Sequence, residues 1–217
     1  MASEYVVWGA KGSGSVPVEA ALTLIGAPYE LRDLANWYDV QTDAEAGRLN
    51  PQRQLPALVL ASGEVITESA AILLYLAEAH PQARLAPPAD APERAQFLRW
   101  MIYVPAQIYS MCWVRDVPSR LAAGPAAEAV IKARTRERVA DCWRMMDAQV
   151  EPSPWIAGAR MSVLDIYVTV ISRWIIGRRR FYEVAPKMAE VVRRVDAEPR
   201  LAALWAERMP FEEGWEG

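Results

Sequence analysis

The sequence predicts an α/β domain followed by an all-α domain, and three observations carry that prediction. Strand-like alternation and helix-like spacing take turns from Tyr5 to Leu76. A proline-dense link then runs from His80-Pro81 through Pro87-Pro88 to Pro92. Beyond it, apolar residues recur at helical spacing with no convincing strand pattern. The expected boundaries are 1–82 for the α/β domain, 83–90 for the linker and 91–217 for an α-helical bundle domain.

Tyr5-Val6-Val7-Trp8 reads as a first strand, followed by the loop Gly9-Ala10-Lys11-Gly12-Ser13-Gly14-Ser15. Pro17 suits the first turn of a helix in which Val18, Ala21, Leu22 and Ile25 repeat until Gly26 stops it. Tyr29 to Leu34 alternates like a half-buried strand and completes a βαβ unit, and Asp43 to Leu49 is a weak helix. After Asn50-Pro51-Gln52-Arg53-Gln54-Leu55-Pro56 come two short strands, Ala57 to Leu60 and Glu64 to Thr67, joined by a Ser62-Gly63 hairpin turn. Pro56 has no N–H for a ladder, and a cis bond before it leaves the Leu55 backbone open to a ligand. Ile72, Leu73 and Leu76 then mark a helix whose exposed first N–H groups fall beside Glu68 and Ser69, a place suited to an anion.

In the second domain a helix rich in large side chains runs from Pro92 to about Ala122, and Pro105 should kink it. Ala126 to Val150 forms a second long helix, with Ala129, Ile131, Val139, Trp143 and Met146 turned inward. Ser162 and Asp165 have capping-box spacing at the head of Ile166 to Ile176, a stretch so apolar that it should be the buried centre of the domain.

Hydrophobic content of 53% guarantees a core, and a net charge of −3 argues against a nucleic-acid binder. The cluster Arg178-Arg179-Arg180 reads as a solvated helix end. Two cysteines, Cys112 and Cys142, without a CxxC spacing, and the single His80 leave neither a zinc site nor a disulfide scaffold. Both cysteines read as structural, and His80 as a solvated residue at a helix C-terminus. Residues 1–5 carry no leader pattern and no stretch reaches the roughly 18 uninterrupted apolar residues of a membrane span, so a cytoplasmic protein without membrane contact is expected.

The stretch from Asn50 to Leu76 resembles the glutathione-binding segment of the cytosolic glutathione transferases, bacterial-type, whose pattern is Asn-Pro-x-Gly-x-Val-Pro-x-Leu, a hairpin, then Glu-Ser-x-x-Ile-x-x-Tyr-Leu. Trp155-x-x-Gly158 followed by Ser162-x-x-Asp165 is similar to the box that nucleates the central helix in the same family. The resemblance implies a thioredoxin-like first domain, a homodimer and glutathione as co-substrate, with no permanently bound cofactor. It also implies that the Leu55 backbone pairs with the cysteinyl part of glutathione beside Pro56, while Glu68 and Ser69 hold the γ-glutamyl end. Arg53 stands where the family has glycine and Leu55 where it has valine. Gln54, Arg53 or Lys11 are candidates for the glycyl carboxylate.

The reaction so implied is conjugation of the glutathione thiolate to a small hydrophobic electrophile, in detoxification. An unperturbed thiol titrates at about 8.5, so something must donate to the sulfur. The family's donor tyrosine aligns with Trp8, and its serine and cysteine positions with Gly12 and Gly14. The neighbouring Ser13 and Ser15, or the loop amides, are the remaining donors. Trp8, Trp100, Tyr103, Gln107 and Trp174 are the candidates to contact the electrophile, with Tyr109 and Trp113 nearby in sequence. The substituted catalytic positions keep open a non-catalytic binding or interaction module. A glutathione-dependent lyase, peroxidase or dehalogenase on the same site also stays open. The missing first-loop cysteine argues against thiol–disulfide exchange of the glutaredoxin kind.

Overall fold

The computed structural model describes residues 5–211. The first four residues, on which the expectation of an absent leader largely rested, lie outside the described residues. The chain forms two compact units, one of residues 5–86 with Asp196–Phe211 and one of Pro87–Val195.

In the first unit the order is β1 (Tyr5–Ala10), α1 (Val16–Ile25), β2 (Tyr29–Leu34), α2 (Ala44–Leu49), β3 (Ala57–Leu60), β4 (Val65–Thr67) and α3 (Ser69–Ala79). The sheet runs β2-β1-β3-β4, with β1 parallel to β2 and antiparallel to β3, and β3 antiparallel to β4. This is the expected thioredoxin-like arrangement. Helices α1 and α3 contact each other and bury Leu22, Ile72 and Leu76 completely. On its other side the sheet buries Trp8 and Ala57 with Val40 and Ala46 from the α2 region. Helix α2 starts where the Asp43 carboxylate accepts the Ala46 N–H at 2.7 Å, satisfying one exposed donor of its first turn.

The hairpin loop is longer than the two-residue turn expected. Leu60 N–H donates to Glu64 O and Gly63 N–H to Leu60 O, each at 2.9 Å, so Ala61 joins Ser62 and Gly63 in a three-residue loop ahead of Glu64, and β4 itself runs from Val65. His80 is likewise not simply solvated, because its Nε2 lies 2.8 Å from the Tyr5 hydroxyl at the start of β1.

The second unit contains α4 (Arg94–Tyr103), α5 (Ser110–Asp116), α6 (Pro125–Gln149), α7 (Val163–Ile171), α8 (Gly177–Val184) and α9 (Pro186–Asp196). Pro105 divides α4 from α5 as expected, but through a wider π-helical segment, Val104–Tyr109, which accommodates the missing donor without ending the helical path. In α6 Val139, Trp143 and Met146 are buried as expected, whereas Ala129 is exposed and Ile131 is only half-buried. Every residue of α7 is buried.

Helix α7 ends at Ile171, short of the expected Ile176, and Arg178 packs back on that end. Rather than lying at a solvated end, Arg178 is 2% exposed; its Nη2 donates to Thr169 O and its Nε to Ser172 Oγ, both at 2.8 Å. The guanidinium thereby satisfies carbonyl and hydroxyl groups at the end of α7. At the other end, Asp165 accepts the Ile156 N–H at 2.9 Å, the Ser162 N–H at 2.7 Å and the Ser162 hydroxyl at 2.8 Å. Burial pushes its carboxyl up to about 6 against the downward pull of those three hydrogen bonds.

After α9 the chain returns to the first unit. The turn Pro199–Leu201 and helix α10 (Ala202–Arg208) contact α1, so Asp196–Phe211 belongs with a unit from which the sequence boundaries had separated it. Among the described residues, no helix is long and apolar enough to cross a membrane.

Replacing Asp165 with alanine strands two buried N–H groups and should cost about 2–4 kcal/mol in urea denaturation. The folded pKa of Asp165 lies above the unfolded value of about 3.9, so its ionisation weakens the fold as pH rises. The stability difference, wild type minus Asp165→Asn, should therefore fall between about pH 4 and 6 and level off above that window.

Candidate functional site

The first candidate segment is shaped by where the sheet stops. The β1–β3 ladder ends with Trp8 opposite Ala57, and the Leu55–Pro56 bond that precedes Ala57 is cis, as expected. Leu55 is half-buried and sits outside the ladder, with Pro56 buried next to it. Upstream, Asn50 folds the segment on itself: its Nδ2 donates to Gln54 O at 2.9 Å and its Oδ1 accepts the Gln52 N–H at 3.0 Å.

Arg53 has φ +53°, in the left-handed region that favours the glycine of the resemblance. Its side chain compensates. Nη1 donates to Gln41 O at 2.8 Å and to Val40 O and Asp43 O at 3.3 Å, while Gln41 Nε2 donates back to Arg53 O at 2.8 Å. The guanidinium lies so close over α2 that a Cβ on Gly47 would stand 2.7 Å from its central carbon. Arg53 therefore ties the segment to the α2 region, and Gln54 beside it is exposed.

Across the hairpin, Glu68 has φ +65° and ψ 104°, a backbone that side-chain-bearing residues rarely adopt. Its side chain is exposed, and Ser69, the first residue of α3, is 5% exposed. Neither a tight turn nor a helix cap requires such strain in a glutamate, and strain of this kind collects at ligand sites. An exposed strained carboxylate and a nearly buried hydroxyl thus share the positive end of α3.

The second candidate segment joins β1 to α1. Ser15 is fully buried and its hydroxyl donates to Glu19 Oε1 at 2.7 Å. Its single hydrogen is thereby used, so the 3.1 Å contact between Ser13 Oγ and Ser15 Oγ has Ser13 as donor. Ser13 Oγ also accepts the N–H groups of Ala10 and Ser15, each at 3.2 Å. Both serine hydrogens are directed into the unit. Ser13 N–H donates to Ala10 O and Gly12 N–H to Arg208 O at 2.8 Å. Gly14 is buried, and among the described residues its N–H has no hydrogen-bond partner. An unpaired donor in such a place is uncommon in a folded chain.

Beneath this loop lies a buried charge cluster that sequence reasoning missed. Glu19 is 0% exposed, and burial pushes its carboxyl up while Ser15 and Arg208 pull it back. Arg208 Nε lies 2.8 Å from Glu19 Oε2 as an ion pair without hydrogen-bond alignment, and Nη2 donates to Glu19 Oε1 at 3.3 Å. The same guanidinium donates through Nη1 and Nη2 to the two oxygens of Asp33, both at 2.8 Å. One signal was present in the sequence: Glu19 is the only charge in the run Val16 to Ile25.

The remaining candidates divide between core and surface. Trp8, expected near the electrophile, is 6% exposed and belongs to the apolar cluster under α2, because residues alternate across β1 and its even positions face that side. Within the second unit, Trp100 is buried and meets Tyr103 edge-on with ring centres 5.2 Å apart. The Tyr103 hydroxyl donates to Cys142 O at 3.2 Å, and burial raises its pKa. Gln107 Oε1 accepts from Arg138 Nη2 at 2.6 Å, while Trp174 is half-buried against Tyr109, ring centres 4.9 Å apart. Cys112 and Cys142 are free and buried, and burial pushes the Cys112 thiol up to about 12, far from a reactive thiolate. Among the described residues no group of three His, Cys, Asp or Glu side chains is placed to hold a metal ion.

A family model for the N-terminal domain of glutathione S-transferase matches residues 14–79. The chain is 30% identical over 196 residues to the uncharacterized GST-like protein YncG of Escherichia coli (strain K12), covering 90% of this chain and 94% of that protein. It is 24% identical over 156 residues to glutathione S-transferase GstA of Escherichia coli O157:H7, covering 70% and 73% of the two chains. Among solved structures, it is similar to a glutathione transferase homologue from Sulfitobacter with bound glutathione, with a TM-score of 0.85 and 25% identity over 97% of this chain and 100% of that one. A sphingomonad glutathione S-transferase complexed with glutathione aligns with a TM-score of 0.77 and 25% identity, over 94% of this chain and 100% of that one.

Gly9 should be intolerant of any side chain, because a Cβ there would stand 2.2 Å from Ser15 Oγ and 2.4 Å from Ser15 Cβ. Gly9→Ala is expected to destabilise the fold by about 1–3 kcal/mol in urea denaturation, as overpacking of a filled site does.

Proposed function

The chain belongs to the glutathione S-transferase family, and from that premise we propose that it conjugates the thiolate of reduced glutathione to a small hydrophobic electrophile. The observation that carries this reading is Glu68, held at φ +65° with its carboxylate exposed, directly before the nearly buried Ser69 at the head of α3. In this reading Glu68 receives the ammonium of the γ-glutamyl group. Ser69 and the first N–H groups of α3 receive its carboxylate, with the helix dipole favouring the negative charge. The backbone of Leu55, left outside the ladder ahead of Pro56, pairs with the cysteinyl part as a short strand. Gln54 stands exposed for the glycyl end, with Arg53 holding its segment against the α2 region.

Sulfur activation falls to the loop before α1. Ser13 and Ser15 commit their hydrogens inward, so they act in this reading by shaping the loop. The unpaired Gly14 N–H, at the positive end of α1, is the donor left for the thiolate. Trp100, Tyr103, Gln107 and Trp174 in the second unit are the proposed contacts for the electrophile. The active form is proposed to be a cytoplasmic homodimer with a detoxifying role. The inward serine hydroxyls favour one second reading, a module that binds glutathione with little turnover.

Calorimetric titration with reduced glutathione and with its S-hexyl derivative tests the site. Ser69→Ala should weaken both by about tenfold or more, the effect of one lost hydrogen bond to a charged group. No binding to the folded wild type at millimolar ligand removes the glutathione reading. Binding of both without conjugation of aryl halides selects the second reading.

A further inference from the structure

The clamp formed by Arg208 on Glu19 and Asp33 joins the two ends of the first unit directly beneath the loop proposed to meet the thiol. Three contacts link the loop to Arg208 and its clamp. Arg208 O receives the Gly12 N–H at 2.8 Å, so α10 holds the loop backbone itself. Arg208 Nε and Nη2 fix the Glu19 carboxylate, whose Oε1 accepts the Ser15 hydroxyl. Ser15 in turn receives Ser13, which gathers the Ala10 and Ser15 N–H groups onto one oxygen.

Arg208 is 2% exposed and Glu19 fully buried, so the charge on Glu19 depends on Arg208, while that on Arg208 is shared between Glu19 and Asp33. Glu19 without its cation would take up a proton, and a protonated carboxyl no longer offers Ser15 the same acceptor. The order of donors that leaves Gly14 N–H unpaired would then dissolve.

We propose that Arg208 is a positioning residue for thiol activation, holding the Lys11–Ser15 loop so that the Gly14 N–H is presented to the glutathione sulfur. This rests on the glutathione reading above. Asp33 completes the device: it holds the guanidinium through two hydrogen bonds, while its own side chain stays 38% exposed.

The test compares wild type, Arg208→Gln, Arg208→Lys and the milder Asp33→Asn, which loosens the guanidinium without stranding Glu19. The first measurement is amide hydrogen exchange without ligand. Gly12, Ser13 and Ser15 should exchange about tenfold faster or more in Arg208→Gln, with Leu58 and Ile72 unchanged. The second follows the ultraviolet absorbance of bound glutathione thiolate against pH. The apparent thiol pKa should rise by about one unit in Arg208→Gln and by less in Asp33→Asn. Arg208→Lys should restore part of the shift, and kcat should fall with the glutathione Kd moving less than about threefold.

Folded variants with unchanged loop exchange and an unchanged thiol pKa overturn the proposal, as does a loss confined to glutathione affinity. A wild type with no thiolate band overturns the glutathione reading and this inference together. A wild-type band whose pKa stays put in every variant overturns the inference alone. If Arg208→Gln does not fold, Asp33→Asn decides between these outcomes.

Discussion

Pro56 has no N–H to give to a ladder, and both candidate segments take their places from that limit. Strand β1 is paired on both sides, with β2 along its whole length and with β3 only as far as Ala57. Had the β3 ladder continued through residue 56, the Leu55 backbone would be spent inside the sheet. Because it stops, the last residues of β1 are paired with β2 alone as the strand enters the loop before α1, while the chain ahead of β3 turns away. The same strand carries Trp8 to one side of the sheet and Gly9 to the other, where the absent side chain lets Ser15 approach.

The second constraint is electrostatic. A carboxylate with no exposure cannot stay ionised inside an apolar unit unless a cation and hydrogen bonds surround it. Burial pushes the Glu19 carboxyl up, and Ser15 on one side and Arg208 on the other, nearly two hundred positions along the chain, pull it back. The consequence reaches in two directions. It directs the serine hydroxyls inward, with the Gly14 amide left unpaired among the described residues, and it recruits the last helix into the first unit. Arg53 solves a comparable problem differently, offsetting a backbone conformation better suited to glycine with three carbonyl contacts to the α2 region.

Much of the fold was legible in the sequence. The apolar run Tyr5 to Trp8 marked β1 and alternation marked β2, Pro17 and Gly26 bounded α1, and Ser162 with Asp165 announced α7, because each of these signals acts over a few residues. Where the expectation slipped, a contact distant in sequence had intervened. Helix α7 stops early, at an end where Arg178 folds back on the Thr169 carbonyl and the Ser172 hydroxyl. The solvated histidine became a partner of Tyr5, since strand and helix ends meet only in three dimensions.

For the candidate site, local pattern alone picked out Leu55, Pro56, Glu68 and Ser69, because a strand start and a helix start are written in neighbouring residues. It could not say which way a serine hydrogen points or what neutralises Glu19, since those depend on a charge contributed by α10. The sequence by itself determined the order of strands and helices and the apolar faces they bury, which follow from periodicity and from what proline and glycine forbid. Only the tertiary structure decided the pairing of Glu19 with Arg208, the inward turn of Ser13 and Ser15 and the place of the last helix. Buried charges are satisfied across space, and spacing along a chain does not encode which distant partner will be there.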